Sequence, residues 1–121
     1  MSVLVHNYVD PPVKEVTVAD NGLKYKSNPK HTLGGQGNRK NAGIEPQNSL
    51  ELFGKSVAST SKPNQRYTYD KKTGTLHRFF CDQNSKVWHW SGSTNQGNNS
   101  LKSADVPSDI KKNFNLKGKG W

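Results

Sequence analysis

The sequence predicts an α+β fold, with an N-terminal helix or helices packed on a twisted antiparallel β-sheet, and three observations carry that prediction. Apolar residues recur at helical spacing at Leu50, Phe53 and Val57, behind Pro46, a residue suited to a helix's first turn. From Arg66 to Ser93 the chain instead alternates with period two, and turn residues at 70–74 and 82–85 break this stretch into three strands. With 121 residues, 30% of them hydrophobic, the chain has room for one small domain with a modest core.

The elements follow in order. Residues 1–29 carry Asp10-Pro11-Pro12 and Asn21-Gly22 on either side of the strand-like Glu15-Val16-Thr17-Val18. They read as a linker or N-terminal arm with one candidate edge strand, leaving 30–121 as the basic domain. Residues 28–43 form a polar, glycine-rich loop that suits neither a regular helix nor a long strand. The helix is expected over 47–57 and ends before the breaker cluster Ser59-Thr60-Ser61-Lys62-Pro63. Strands beginning at Arg66, Thr75 and Val87 make a three-strand meander. A second short helix over 106–114, with Ile110 and Phe114 on one side, precedes a basic tail.

The last two strands carry the most informative pattern. If Arg78 lies opposite His89, or opposite Ser91 after a two-residue slip, the faces divide in the same way. Phe79, Cys81, Trp88 and Trp90 then share one side with His77, while Arg78, Phe80, Val87, His89 and Ser91 share the other. The first face is apolar enough to be core; the second carries an imidazole, a guanidinium and a hydroxyl.

Charge is unevenly divided. Residues 1–29 hold Lys14, Lys24 and Lys26 against Asp10, Glu15 and Asp20, so the whole net charge of +9 lies from residue 30 onward. Such a balance fits a polyanion, and Lys30, Arg39, Lys40, Lys111 and Lys112 are the expected RNA-binding cations. A surface shaped for an acidic protein is the competing explanation. No stable membrane association is expected, because no amphipathic helix pairs this charge with a wide apolar face. The first residues contain neither a basic leader nor a long apolar run, so any export is expected to be directed by a larger parent protein. Cys81 is the single cysteine and makes no internal disulfide; without Cys-x-x-Cys pairs or closely spaced histidines, a structural zinc site is not expected.

Several motifs fail on inspection. Lys40 stands where a dinucleotide-binding glycine pattern needs its last Gly, and Ser49 stands where a phosphate loop before Gly54-Lys55-Ser56 needs Gly. The few acidic residues form no local pair for a two-metal nuclease. What remains is metal-free chemistry on RNA, whose 2′-hydroxyl is its own nucleophile. Such an enzyme needs a base, an acid, and donors for the phosphorane oxygens. Histidine suits proton transfer near neutral pH and arginine grips phosphate oxygens in pairs. His89, His31, Arg78, Ser91 and Thr94 are therefore the candidate catalytic residues, with His31 brought in from the glycine-rich loop.

Each has a structural alternative. His89 could serve only as a hydrogen-bonding group within the sheet, Arg78 could pair with Asp82 or Asp70, and Ser91 and Thr94 could merely shape the strand's exit. His77 is read as a buried, hydrogen-bonded residue, Trp88 and Trp90 as core, and Cys81 as a small core residue.

The motifs His31-Thr32-Leu33-Gly34-Gly35-Gln36-Gly37-Asn38, Asn41-Ala42-Gly43-Ile44-Glu45-Pro46, Asn48-Ser49-Leu50, His77-Arg78-Phe79 and Trp88-His89-Trp90-Ser91-Gly92-Ser93-Thr94 carry a resemblance. Together, over roughly residues 28–116, the chain resembles the C-terminal toxin domains of bacterial contact-dependent growth inhibition effectors, within the polymorphic toxins. It is most similar there to the colicin D-like transfer RNA nucleases. That resemblance implies a fold of the barnase, EndoU, colicin and RelE type. It also implies export as the C-terminal part of a larger effector, cleavage of transfer RNA in the cytoplasm of a target bacterium, and neutralisation by a cognate immunity protein. Some relatives use elongation factor Tu as a protein cofactor; no other cofactor is implied. The resulting expectation is a metal-independent endoribonuclease. The alternatives are a non-enzymatic RNA-binding module and a toxin acting on a protein.

Overall fold

A computed structural model of the chain describes residues 13–31, 43–97, 100–118 and 120–121. Among these residues the fold is α+β, with one six-stranded sheet and two short α-helices. In chain order the elements are β1 (Thr17–Val18), β2 (Lys24–Tyr25), α1 (Ser49–Gly54), β3 (Val57–Ala58), β4 (Gln65–Asp70), β5 (Thr75–Cys81), β6 (Trp88–Ser93) and α2 (Ser108–Asn113). The strand order is β1-β2-β6-β5-β4-β3. All neighbours are antiparallel except β2 and β6, which run parallel at Tyr25↔Trp88, so the sheet is mixed where a wholly antiparallel one was expected. The physical reason is the long connection from β2 to the meander, which lets β2 return alongside the last strand in the same direction.

The meander β4-β5-β6 matches the sequence reading, and its register explains the faces. Phe79 lies opposite Trp90, Phe80 opposite His89 and Cys81 opposite Trp88. This is the pairing in which Arg78 would meet Ser91. There, however, the register shifts by one and Arg78 lies opposite Gly92, with Ser91 as the extra residue of a β-bulge. Gly92 takes a φ of 149°, and a Cβ on it would lie 3.9 Å from the Arg78 guanidinium. Bulge and glycine together turn the Ser91 hydroxyl onto Arg78.

Two cores result, one on each face. On the first, Phe79, Cys81, Trp88 and Trp90 pack with Leu50, Leu52 and Phe53 of α1 and with Val13, Ala19 and Tyr25. Phe53 is the hub, with ring centroids 5.1 Å from Tyr25, 5.2 Å from Phe79 and 5.8 Å from Trp88. Aromatic pairs of this kind contribute about 0.5–1.5 kcal/mol each beyond their buried area. On the second face, Tyr67 and Leu76 pack under Leu101, Val106, Leu116 and Ile110 of α2. Residues 13–29, read from sequence as a linker or arm with one candidate edge strand at 15–18, supply that edge strand as β1, the further strand β2 and three core side chains, Val13, Ala19 and Tyr25.

The first helix is shorter than its apolar stripe suggested. It spans Ser49–Gly54, and Val57 belongs to β3, opposite Tyr67, where it packs against the second core. A stripe that includes Val57 mixes residues serving opposite faces. At its end, backbone and side chains together satisfy the last carbonyls: Phe53 O accepts from the Ser56 N–H, from Ser56 Oγ at 2.6 Å and from Asn21 Nδ2 at 2.9 Å, and Leu52 O accepts from the Lys55 N–H and from Thr68 Oγ1 at 2.5 Å. The second helix is shorter than the expected 106–114, spanning Ser108–Asn113, but Ile110 is buried and Phe114 packs beside it as the sequence suggested.

Candidate functional site

Because α2 and its neighbours cover only the Tyr67–Leu76 end of the second face, the other end stays open. There Arg78 and Phe80 of β5 stand beside His89 and Ser91 of β6 and Gln65 of β4. Together with Asp82, and with Asn28 and His31 from the segment after β2, they line a cavity of about 420 Å³. Four of the five expected catalytic residues, His31, Arg78, His89 and Ser91, therefore meet in one place.

His89 is held from the neighbouring strand. Its Nδ1 lies 2.7 Å from the carbonyl oxygen of Lys26, just beyond β2. A carbonyl can only accept, so Nδ1 carries the proton and the lone pair of neutral imidazole sits on Nε2. His31 ends the 3-10 turn Pro29–His31. Its Nδ1 lies 3.3 Å from the Gly43 carbonyl, and its ring stands edge-on to Trp90 at 5.1 Å between centroids. Gly43 adopts a φ of 78°, and a Cβ there would approach Trp90 to 3.3 Å, so glycine lets its carbonyl reach His31 across the indole. Trp90, a core residue that also lines the cavity, thus helps set where the His31 imidazole stands.

Arg78 is gripped rather than ion-paired in the way the sequence suggested as an alternative. Its Nε donates to Ser91 Oγ at 2.9 Å, and Ser91 Oγ in turn donates to the Arg78 carbonyl at 3.2 Å. Ser91 is thereby a positioning residue for the guanidinium. Tyr67 lies directly opposite Arg78 on β4. Burial raises the Tyr67 phenol above its ordinary value, and the Arg78 charge opposes that shift. At the cavity's rim, the Asp82 carboxylate is held below the usual range by the Asn84 and Ser85 backbone N–H groups, and to a smaller degree by His89.

Thr94 does not join this group. Its Oγ1 accepts the Leu76 N–H at 3.0 Å and its own N–H donates to Leu76 O, so it finishes the β5–β6 ladder at the far end from the cavity. The alternative sequence reading, in which Thr94 shapes the strand's exit, describes it. Lys111 donates through Nζ to Ser103 Oγ at 3.0 Å and to Trp121 O at 2.7 Å, clasping the chain's last described residue. Lys112 is exposed on α2. Lys30 belongs to the 3-10 turn that delivers His31, whereas Arg39 and Lys40 lie outside the described residues.

His77 faces the first core, only 5% exposed, and accepts the Trp90 Nε1–H at Nδ1 over 3.1 Å. Burial holds its pKa down to about 4, only partly opposed by Asp70. The sequence reasoning passed over Gln65, Asn28 and Asp82 as site residues. Gln65 had a usable signal, since extending the meander register by one strand sets it opposite Phe80. Asn28 and the Lys26 carbonyl had none, because their position follows from the parallel β2–β6 pairing.

Among the described residues, no three His, Cys, Asp or Glu side chains converge as a metal site would require. Compared with protein-family models, with curated proteins and with solved structures, the chain finds no match.

Proposed function

We propose that this chain is an antibacterial toxin domain that acts as a metal-independent endoribonuclease, cleaving transfer RNA in the cytoplasm of target bacteria. One observation carries the reading: His31, Arg78, His89 and Ser91 line a single cavity on a chain of net charge +9. In the reaction, one imidazole takes the proton of the RNA 2′-hydroxyl and the 2′-oxygen attacks phosphorus. The bond from phosphorus to the 5′-oxygen breaks as the second imidazole protonates that oxygen. The products are a 2′,3′-cyclic phosphate and a free 5′-hydroxyl. Arg78, held by Ser91, stabilises the charge that builds on the non-bridging oxygens.

Identity as a colicin D-like toxin domain rests on the sequence resemblance. With it come a cognate immunity protein, delivery as the C-terminal part of a larger effector, and elongation factor Tu as a candidate protein cofactor. A helix on one face of the sheet and a polar cavity on the other is an arrangement compatible with the barnase, EndoU, colicin and RelE type of fold.

The test is incubation of the purified chain with total bacterial RNA in excess chelator, with and without cell extract. Discrete shortening of transfer RNA to products ending in cyclic phosphate, lost in His89→Ala, is the expected result. Intact RNA in both reactions would refute the nuclease reading, and retained binding without cleavage would replace it with an RNA-binding module.

A further inference from the structure

Phe80 is out of place for a sheet residue in so small a domain. It is 42% exposed, although it sits on the central pair of strands, and its ring lines the cavity beside His89. The same face is covered by α2 two strand positions beyond Arg78, where Leu76 is fully buried, so Phe80 lies just past that cover. Across the sheet, Gln65, Phe80 and His89 form one row on three adjacent strands, each directly opposite the next. Directly opposed side chains of this kind stand about 5 Å apart, close enough to contact one ligand together.

The amide of Gln65 has a defined orientation. The Tyr67 hydroxyl, which is buried, donates to Gln65 Oε1 at 2.6 Å. With Oε1 already accepting from Tyr67, the amide's donor for a ligand is Nε2, which can only donate. Arg78 stands two residues before Phe80 on the same face, about 7 Å away along the strand. This is the scale on which one nucleotide separates its phosphate from its base.

We propose that Phe80 and Gln65 form a nucleobase subsite, in which the Phe80 ring stacks on an unpaired base while Gln65 Nε2 donates to an acceptor on that base's edge. The inference rests on the reading of this cavity as an RNA site and specifies its substrate: RNA presented through a nucleotide outside a duplex. A paired base has both faces stacked and its edge occupied, whereas a base in a loop can splay onto an aromatic side chain. Backbone charge contributes to every complex alike, so the subsite is read as a difference between ligands rather than as affinity.

The probe is a set of 2′-O-methyl pentanucleotides, labelled at one end, in which each member is abasic at one position. Lacking the 2′-hydroxyl they cannot be cleaved, so binding is measured apart from chemistry. The whole chain should bind the intact ligand about 5- to 100-fold more tightly than the member that is abasic at the stacked position. Phe80→Leu should abolish that preference and Phe80→Trp should restore it, both with the parent's urea midpoint because the side chain is exposed. Gln65→Met should keep the preference for a base over none but flatten the preference among bases.

A Phe80→Leu variant that discriminates as the parent does would overturn the proposal, as would a parent indifferent to abasic substitution at every position. Phe80-dependent discrimination by a protein that leaves RNA intact in chelator would uphold the subsite and refute the nuclease. Cleavage without Phe80-dependent discrimination would refute the subsite alone.

Discussion

Acidification should destabilise this domain in part through the buried imidazole of His77. Its ring is buried against the first core and uses Nδ1 to accept the Trp90 indole N–H. Protonation would set a donor against a donor and place a charge where water cannot reach it. The unfolded chain takes up the proton near the ordinary 6.5 and the folded chain only near 4. The stability His77 contributes is therefore fully present above pH 6.5 and is lost as pH falls through that window toward 4. The full gap corresponds to about 3 kcal/mol, of which about 2 kcal/mol is already gone by about pH 5. Urea unfolding followed by tryptophan fluorescence at about pH 7.5 and about pH 5 measures the loss. His77→Asn separates this residue from the carboxylates, because its amide oxygen can still accept from Trp90 but does not titrate. The parent should lose about 2 kcal/mol more than His77→Asn between the two conditions. Equal losses would refute the assignment, and so would a parent that gains stability toward acid. Because Trp90 also packs against His31, the acid transition should remove the cavity's geometry together with the fold.

Further outcomes are expected at four residues. His89→Ala should lower RNA cleavage by about 100- to 10,000-fold with the urea midpoint little changed, the range for a lost proton-transfer group, read as single-turnover rates in chelator. Trp88→Ala should cost about 3–5 kcal/mol in urea unfolding, since the indole fills the first core beside Phe53. Tyr25→Phe should cost about 1–3 kcal/mol, because the phenol donates to the buried Glu45 carboxylate, which Ser49 Oγ alone would then serve among the described residues. The same arrangement, burial first and the Glu45 charge second, raises the Tyr25 pKa well above its ordinary value, so the phenol should show no spectroscopic ionisation at about pH 10 while the fold persists. Thr94→Val should lower stability by about 1 kcal/mol through the lost Leu76 N–H bond yet leave cleavage per folded molecule at the parent level.

Much of this architecture is legible in the sequence because it is local. Strict alternation across 75–81 and 88–91 assigns each side chain to a face before any neighbour is known, and the turn chemistry at 70–74 and 82–85 says which strands pair. The division of Phe79, Cys81, Trp88 and Trp90 from Arg78, Phe80, His89 and Ser91 follows from that alone. The net charge and its place in the chain are likewise properties of composition.

Tertiary structure decided what depends on partners distant in sequence. The helical stripe through Val57 could not reveal that Val57 is needed on the opposite face of the sheet, where it meets Tyr67. The candidate edge strand at 15–18 is legible and becomes β1 at the sheet's edge. Residues 24–25 carry too little periodicity to declare themselves a strand, yet β2 pairs in parallel with β6 and hands the Lys26 carbonyl to His89. A one-residue bulge at Ser91 is invisible to alternation, because only the pairing with β5 defines which residue is extra. It turns a hydroxyl onto Arg78 and leaves Thr94 to close the ladder. Sequence periodicity thus determined which side chains share a face, while long-range pairing determined which of them meet.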